Sequence, residues 1–333
     1  MIRLLSQLAE TAEKVNRFID EVVGLESEPT VLYQAARHII DAGGKRLRPY
    51  LVLKSCKLVG GREEDALPTA AALELLHTFT LIHDDIIDED EKRRNLPTVH
   101  VEWGMPTAIV TGDLLFAKVY EAITRFTDPR RVAPKRILQV LKSVSEATVT
   151  ICEGQILDMM FEHKETVSED QYFRMVQAKT AALFETSATC GGILGGGKKR
   201  EVERLGKYGY YAGTGFQVID DVLGLTADEK ALGKPVGSDI REGKRTLIIV
   251  HALEHASEIQ RKKILETLGN RSASPERIQE VVGLAGSLGS ISYAEEKARK
   301  YIEKAKKALA TFPASEDRED LLSLADLVFG RKY

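Results

Sequence analysis

The sequence predicts an all-α protein of roughly ten or more helices. Three observations carry that reading. No proline occurs in the 100 residues between Pro134 and Pro235, so long helices can run there unbroken. From Tyr293 to Phe312, residues Ala294, Ala298, Tyr301, Ala305, Ala308 and Phe312 fall at steps of four, three, four, three and four. That spacing makes one apolar stripe, with Lys and Glu on the other face. Finally, runs of Val, Ile or Thr that alternate with polar residues between turns are few.

The elements follow in order. Met1 to Glu10 holds one short apolar stretch with Arg3 near its start, and no small-residue cleavage site follows, so no secretory signal is expected. Turns are marked at Gly43-Gly44 and Gly60-Gly61. The segment Ala66 to Asp88 is rich in Ala and Leu and is expected to become helical at Pro68, a good first-turn residue. Asn95-Leu96-Pro97 and Asp128-Pro129 break the chain again. Asp170 to Leu194 reads as one helix, and Gly191-Gly192 with Gly195-Gly196-Gly197 read as a turn in preference to a close approach between helices. A further glycine-bearing break spans Gly233 to Gly243. None of these breaks has the length or bias of a linker, and no fixed repeat is visible. At about 150 residues per domain the 333 residues would make roughly two domains. The pattern instead favours one domain over 1–333.

Composition excludes several classes. Hydrophobic residues are 43% and charged residues 29%, ordinary for a globular chain and unlike a disordered one. Lys+Arg is 47 and Asp+Glu 50, so the net charge is 47 − 50 = −3, unlike a nucleic-acid binder. Cys56, Cys152 and Cys190 lie far apart, which indicates neither a disulfide framework nor zinc, and they read as buried small hydrophobes in a cytoplasmic protein. No apolar run reaches the roughly 18 residues of a membrane span, so stable membrane insertion is not expected.

Charge is local instead. At Gly43-Gly44-Lys45-Arg46-Leu47-Arg48-Pro49, two glycines precede three cations, and Pro49 permits a helix start. Such a segment suits a phosphate, although a basic helix N-terminus or a turn has the same composition. In His77 to Arg94, HTFTLIHDDIIDEDEKRR, Asp84 and Asp88 are four apart and share one helical face, with Asp85 at its edge. Two like charges there need compensation, and Mg²⁺ commonly takes one or two carboxylates with phosphate oxygens and water. His77 stands two turns earlier on that face, and Arg93-Arg94 follow the acids. In Phe216 to Lys244, Gln217 and Asp221 are again four apart beside Asp220, and Lys234, Lys244 and Arg245 come after. The pattern implies two acidic walls facing one another across a magnesium-bound di- or polyphosphate whose other end is greasy.

These residues together resemble the trans-prenyl diphosphate synthases. GGKRLRP at 43–49, DDIID at 84–88 with Arg93-Arg94, GDLLF at 112–116, Lys179-Thr180, FQVIDD at 216–221 with Lys234 and Lys244, and the ending Arg331-Lys332-Tyr333 fall in the family's order over nearly the whole chain. The resemblance implies antiparallel helices around a central cavity, and a homodimer. It implies a head-to-tail condensation of isopentenyl diphosphate with an allylic diphosphate, dimethylallyl, geranyl or farnesyl. The allylic C–O bond ionises, Mg²⁺ and cations stabilise the leaving diphosphate, an apolar pocket protects the carbocation, and a proton is lost after attack.

Carried over by motif, Asp84 and Asp88 bind magnesium with Asp85 in support. Asp220 binds a further magnesium, and Asp221 orders its waters. Arg93, Lys179, Thr180, Gln217, Lys234 and Lys244 contact the allylic diphosphate. Lys45, Arg48, His77 and Arg94 hold isopentenyl diphosphate. One departure stands out: the family's second motif ends in a third Asp, and here Gly224 takes that place, with Asp228 one turn further on. Activity is expected to survive it.

Product length is read from Phe79, five residues before Asp84, with Thr80 four before it and no insertion inside DDIID. A bulky residue there resembles the archaeal-type geranylgeranyl diphosphate synthases. Phe79 lies about 7.5 Å along the helix axis from Asp84 but some 140° round it, so a floor needs a second helix to complete it. The rival products are farnesyl diphosphate or a C15/C20 mixture. A terpene cyclase shares the acidic motif but needs no isopentenyl diphosphate site, against which Lys45, Arg48 and Arg94 speak. An inactive regulatory subunit tends to lose the acids that are all present here.

Overall fold

Helix accounts for nearly all the regular structure. The computed structural model describes residues 2–24, 27–226 and 237–330. In chain order the α-helices begin with α1 Ile2–Val23, α2 Thr30–Asp41, α3 Leu47–Leu58, α4 Glu63–Ile87, α5 Val99–Trp103, α6 Met105–Phe126 and α7 Pro134–Glu162. They continue with α8 Glu169–Val176, α9 Ala182–Leu194, α10 Lys199–Thr226, α11 Ser238–Glu242 and α12 Leu247–His255. The last are α13 Glu258–Thr267, α14 Pro275–Ser287, α15 Ser290–Leu309 and α16 Glu316–Phe329. Among the described residues the only strands are β1 Lys92–Arg93 and β2 Leu96–Pro97, an antiparallel pair with Arg93 opposite Leu96. The all-α expectation is met.

By contacts the chain divides into two compact units. The first comprises Met1–Ala147, Leu183–Gly209 and Ala308–Leu324; the second comprises Thr148–Ala182, Tyr210–Lys307 and Ala325–Tyr333.

In the first unit α4 packs against α6 and α3. Leu73, Leu75 and Leu76 of α4, Leu51 and Leu53 of α3 and Leu115 of α6 are fully buried there. Each such side chain contributes about 1.5–3 kcal/mol. The start of α4 corrects the sequence reading. The helix begins at Glu63, with Pro68 inside it, because Glu63, Glu64 and Asp65 complement the positive end of the helix dipole. A second correction concerns Gly191-Gly192, which lie within α9. A β-carbon at Gly191 would stand 2.2 Å from the Val52 carbonyl oxygen, so glycine lets α9 approach α3. The expected turn comes after Leu194, where Gly196 has φ 80.

In the second unit the core gathers Tyr172, Val218, Leu247, Ile248, Ile264, Ala285, Ala294 and Ala298. The predicted stripe is met in part: Ala294, Ala298 and Ala305 are fully buried, but Tyr301 and Ala308 are half-buried at its edge and Ile302 and Leu309 take the buried positions beside them. The expected single helix over Asp170 to Leu194 is interrupted. Ser168 and Gln171 form a capping box that opens α8. Gln177–Ala181 then form a π-helical turn before α9. Such turns insert one extra residue and often mark functional positions.

Cys56 and Cys190 are buried and Cys152 is exposed, so only two of the three cysteines act as buried hydrophobes. Among the described residues no helix is long and apolar enough to cross a membrane.

Candidate active site

In the first unit the basic loop is built around Arg46. Arg46 takes the left-handed conformation, φ 47, at the N-cap of α3, which begins at Leu47 and not at Pro49. This turns its side chain inward. Arg46 Nη1 donates to Glu74 Oε1 at 2.8 Å, its Nε to Asn16 Oδ1 at 2.9 Å and its Nη2 to the Ile40 carbonyl at 2.8 Å. Only 3% of Arg46 is exposed, so of the three cations in the loop the middle one is structural. Lys45 is left exposed and Arg48 half-buried, with its guanidinium 4.7 Å above the Phe184 ring.

Arg94 arrives from the β1–β2 hairpin. Its φ of 52 and that of Asn95, 64, make the two-residue loop a type I′ turn. A β-carbon at Gly44 would meet Arg46 Nη1 at 2.9 Å and Arg94 Nη2 at 3.0 Å, so glycine there lets the guanidiniums approach the loop backbone. His77 lies in the field of all of them. Burial, and then Arg48, Arg94, Arg93 and Arg46, push its titration well below the ordinary histidine value. It is therefore neutral at neutral pH. Arg48 and Arg94 thus lie near enough for their charges to act on His77.

The DDIID motif occupies the end of α4. Asp84 and Asp88 are half-buried and lie one turn apart, where the Asp88 N–H donates to the Asp84 carbonyl at 2.8 Å. Asp85 is fully buried and turned away, accepting from Arg93 Nε at 2.5 Å. Burial disfavours the Arg93 charge, but Asp85 outweighs it and holds Arg93 above its ordinary value. One turn and a half before the acids, Phe79 packs edge-on against His83 with centroids 4.8 Å apart, and against Phe116 of α6 at 5.3 Å. Phe116 in turn meets Tyr120 at 5.3 Å. The helix that packs against Phe79 is thus α6. Thr80 Oγ1 donates to the His77 carbonyl at 2.8 Å.

In the second unit the π-turn presents Lys179 and Thr180. A β-carbon at Gly154 would fall 2.3 Å from the Lys179 nitrogen, so α7 meets this turn through a glycine. Lys179 Nζ donates to Asp158 Oδ2 at 2.7 Å, and Lys244 Nζ reaches Asp158 at 3.4 Å and Glu162 at 2.7 Å. Burial works against the Asp158 charge, but Lys179 and then Lys244 outweigh it and hold the carboxyl below its usual range.

Thr180 Oγ1 donates to Gln217 Oε1 at 2.8 Å, and Gln217 Nε2 to Asp221 Oδ1 at 2.9 Å. The Tyr172 hydroxyl donates to Asp221 Oδ2 at 2.6 Å. Burial, with Asp239, pushes Asp221 well above the usual carboxylate value. Asp220, its neighbour, is exposed at the surface of α10. Lys234, Asp228 and Arg331-Lys332-Tyr333 lie outside the described residues.

Sequence reasoning missed Asp158, Glu162, Tyr172, Glu74 and the structural role of Arg46. Asp158 had a signal: it is the one charged residue in QILDMMF, 155–161. Tyr172 and Glu74 had none, since their partners come from distant segments.

Residues 29–285 match the family model described as polyprenyl synthetase. The chain belongs to the polyprenyl synthetase family. It is accordingly a prenyltransferase. A short chain isoprenyl diphosphate synthase of Methanothermobacter thermautotrophicus is 43% identical, covering 100% of this chain and 98% of that protein. The geranylgeranyl pyrophosphate synthetase of Pyrococcus horikoshii superposes with a TM-score of 0.93 at 44% identity, over 99% of both chains. A polyprenyl synthase of Caulobacter crescentus, solved with calcium and isoprenyl diphosphate, has a TM-score of 0.91 at 32% identity, over 100% of this chain and 98% of that one.

The donor set here fits a hard divalent cation. At the end of α4, Asp84 and Asp88 offer oxygens only, one turn apart, which suits Mg²⁺, a cation that completes its shell with phosphate oxygens and water.

Proposed function

We propose that the protein condenses isopentenyl diphosphate with dimethylallyl, geranyl and farnesyl diphosphates and releases geranylgeranyl diphosphate. One observation carries the reading. On α4, the half-buried pair Asp84 and Asp88 follows Phe79, which packs on Phe116 and through it on Tyr120, while the charges of Arg48 and Arg94 act on a neutral His77. Carboxylates for a metal-bound diphosphate, cations for a second diphosphate and a greasy wall are the three things this condensation needs.

Asp84, Asp88 and Asp220 are the residues to hold Mg²⁺, which when bound supplies charge neutralisation at the leaving diphosphate. Lys179, Lys244 and Arg93 supply donors for the same oxygens, and their anchors Asp158, Glu162 and Asp85 hold them extended. Lys234 belongs to this group by motif. Thr180 and Gln217, bonded to each other, orient the allylic end. Asp221, tied to Tyr172 and Gln217, orders water beside Asp220. Lys45, Arg48, His77 and Arg94 receive isopentenyl diphosphate.

In this reading 1–333 acts as a single domain. The family model supports this by running through both units. We further propose a homodimer in the cytoplasm. The exposed apolar Met105, Ile109 and Val110 of α6, 53%, 43% and 50% accessible, support the first, and the free cysteines suit the second.

The test is the product spectrum from each allylic diphosphate with isopentenyl diphosphate. C20 as the end product is expected, and termination at C15 sinks the product assignment. Product formed without isopentenyl diphosphate points to a cyclase. Inactivity of the pure protein with Mg²⁺ and both substrates points to a regulatory subunit.

A further inference from the structure

Of GDLLF, 112–116, the proposed function uses only Phe116, and the one charged residue, Asp113, is exposed. Gly112 and Phe116 are four apart on α6 and so share a face. On α4, Phe79 and His83 are likewise four apart. The two pairs interlock where the helices pack. Phe79 meets Phe116, with ring centroids 5.3 Å apart, and His83 lies on Gly112. A β-carbon at Gly112 would stand 2.2 Å from His83 Nε2 and 2.5 Å from its Cδ2, so the imidazole fills the notch that this glycine leaves in α6. Glycine inside a helix is unfavourable relative to alanine, and the seated ring supplies a reason for it at 112. His83 Nε2 also lies within hydrogen-bond distance, 3.2 Å, of the Ile109 carbonyl oxygen on the same helix. Within α4 the imidazole meets the Phe79 ring edge-on, at an interplanar angle of 69° and a centroid separation of 4.8 Å. Phe79 is thus held from two sides, by Phe116 of α6 and by a histidine that α6 fixes in place.

We infer that His83, seated on Gly112, is a positioning residue for Phe79 and through it a determinant of product length. The inference rests on the proposed reading of Phe79 as the residue that ends chain growth, and adds a residue that acts through it. A bulky side chain stops a growing apolar chain only while it cannot swing aside. Long side chains on a helix lean toward its N-terminus, so the His83 ring leans over the preceding turn, where Phe79 stands. Edge-on contact favours one ring orientation over the others. Without the imidazole, Phe79 keeps Phe116 alone and is free to turn away from the chain it is to stop. The role is one of shape: a flat ring is needed in the notch, and its ionisation is not.

The experiment reads the product distribution of the full-length protein with dimethylallyl and isopentenyl diphosphates and Mg²⁺, with circular dichroism as the check on folding. His83→Ala is expected to raise the share of products longer than the parent's end product about 2–10-fold, the factor to which the energy of one edge-on aromatic pair corresponds. His83→Phe keeps a ring of similar size and is expected to retain the parent distribution. Gly112→Ala fills the notch, displaces the imidazole and is expected to lengthen products as His83→Ala does. A merely structural role would lower stability and turnover and leave the distribution unmoved. A parent-like distribution from His83→Ala overturns the inference, and so does a His83→Phe variant shifted as far as His83→Ala. If Gly112→Ala does not fold, the two His83 variants still decide. Phe79→Ala separates the two levels. If it lengthens products while His83→Ala does not, only the role of His83 falls. If neither does, the reading of Phe79 as the stop falls with it.

Discussion

Arg93 Nε donates to Asp85 Oδ1 at 2.5 Å, so the middle acid of DDIID is committed to an arginine. Asp84 and Asp88 are half-buried, one turn apart. The pair is largely removed from solvent, with side-chain exposures of 18% for Arg93 and 1% for Asp85. Removing one partner leaves a buried charge uncompensated, at about 3 kcal/mol or more. Asp85→Ala is expected to lower the unfolding free energy by that amount, seen as a lower urea midpoint, and to raise the KM for the allylic diphosphate. Asp84→Ala is expected to shift the Mg²⁺ requirement with little change in stability. An equal shift of the Mg²⁺ requirement in both variants would make Asp85 a ligand and remove this distinction.

Asp158 anchors Lys179 and Lys244 together. Asp158→Ala is expected to keep the fold and raise the allylic KM about 10–100-fold, as loss of an outer partner does elsewhere. The KM for isopentenyl diphosphate is expected to stay put. Steady-state kinetics with each substrate varied in turn checks this. Because the native carboxyl is held below its usual range, its stabilising contribution is complete above the unfolded value of about 3.9. That contribution fades as pH falls through the lower native value.

His77 makes the opposite kind of pH dependence. Its native titration lies well below the ordinary value because burial and four arginines oppose its protonation. Below the unfolded value of about 6.5, the unfolded chain therefore binds a proton that the folded chain does not. Stability should fall with decreasing pH there, by up to about 1.4 kcal/mol per unit from this residue. Chemical denaturation of the unliganded protein at pH 7.5, 6.5 and 5.5 measures it, and His77→Gln should flatten that part of the profile. An unaltered slope in the variant places the titration elsewhere.

Phe79 of α4 and Phe116 of α6 pack with ring centroids 5.3 Å apart, and in the proposed function they close the product cavity. Phe79→Ala is expected to lengthen the products beyond C20, and Phe116→Ala to do so to a lesser extent because Tyr120 still backs the space. Chromatography of the dephosphorylated products reads this directly. Unchanged products from Phe79→Ala remove that residue from the length control.

The helices, their apolar stripes and the acid-bearing motifs were legible because each depends on neighbours three or four residues away. Ala294 to Phe312 is such a case: the stripe read from spacing runs along the buried face of α15, with Tyr301 and Ala308 at its half-buried edge. The boundaries were harder. Pro68 is a good first residue, but three acids upstream draw the start of α4 back to Glu63. The π-turn at Lys179-Thr180 left no mark in composition, since it is set by how α7 meets it through Gly154.

The sequence by itself determined the helical class and the residue types that chemistry on a diphosphate requires. Their periodicity and order along the chain are local properties. Only tertiary structure decided which charge does what. Arg46 is buried on Glu74 while Lys45 stays exposed, and Asp85 is fully buried against Arg93 while Asp84 is half-buried. Lys179 and Lys244 meet on one carboxylate, and His83 comes to stand over Gly112. Each of these pairs joins segments whose approach depends on backbone turns and helix packing. An ionised side chain takes its role from the partner that offsets its desolvation, and that partner is chosen in space.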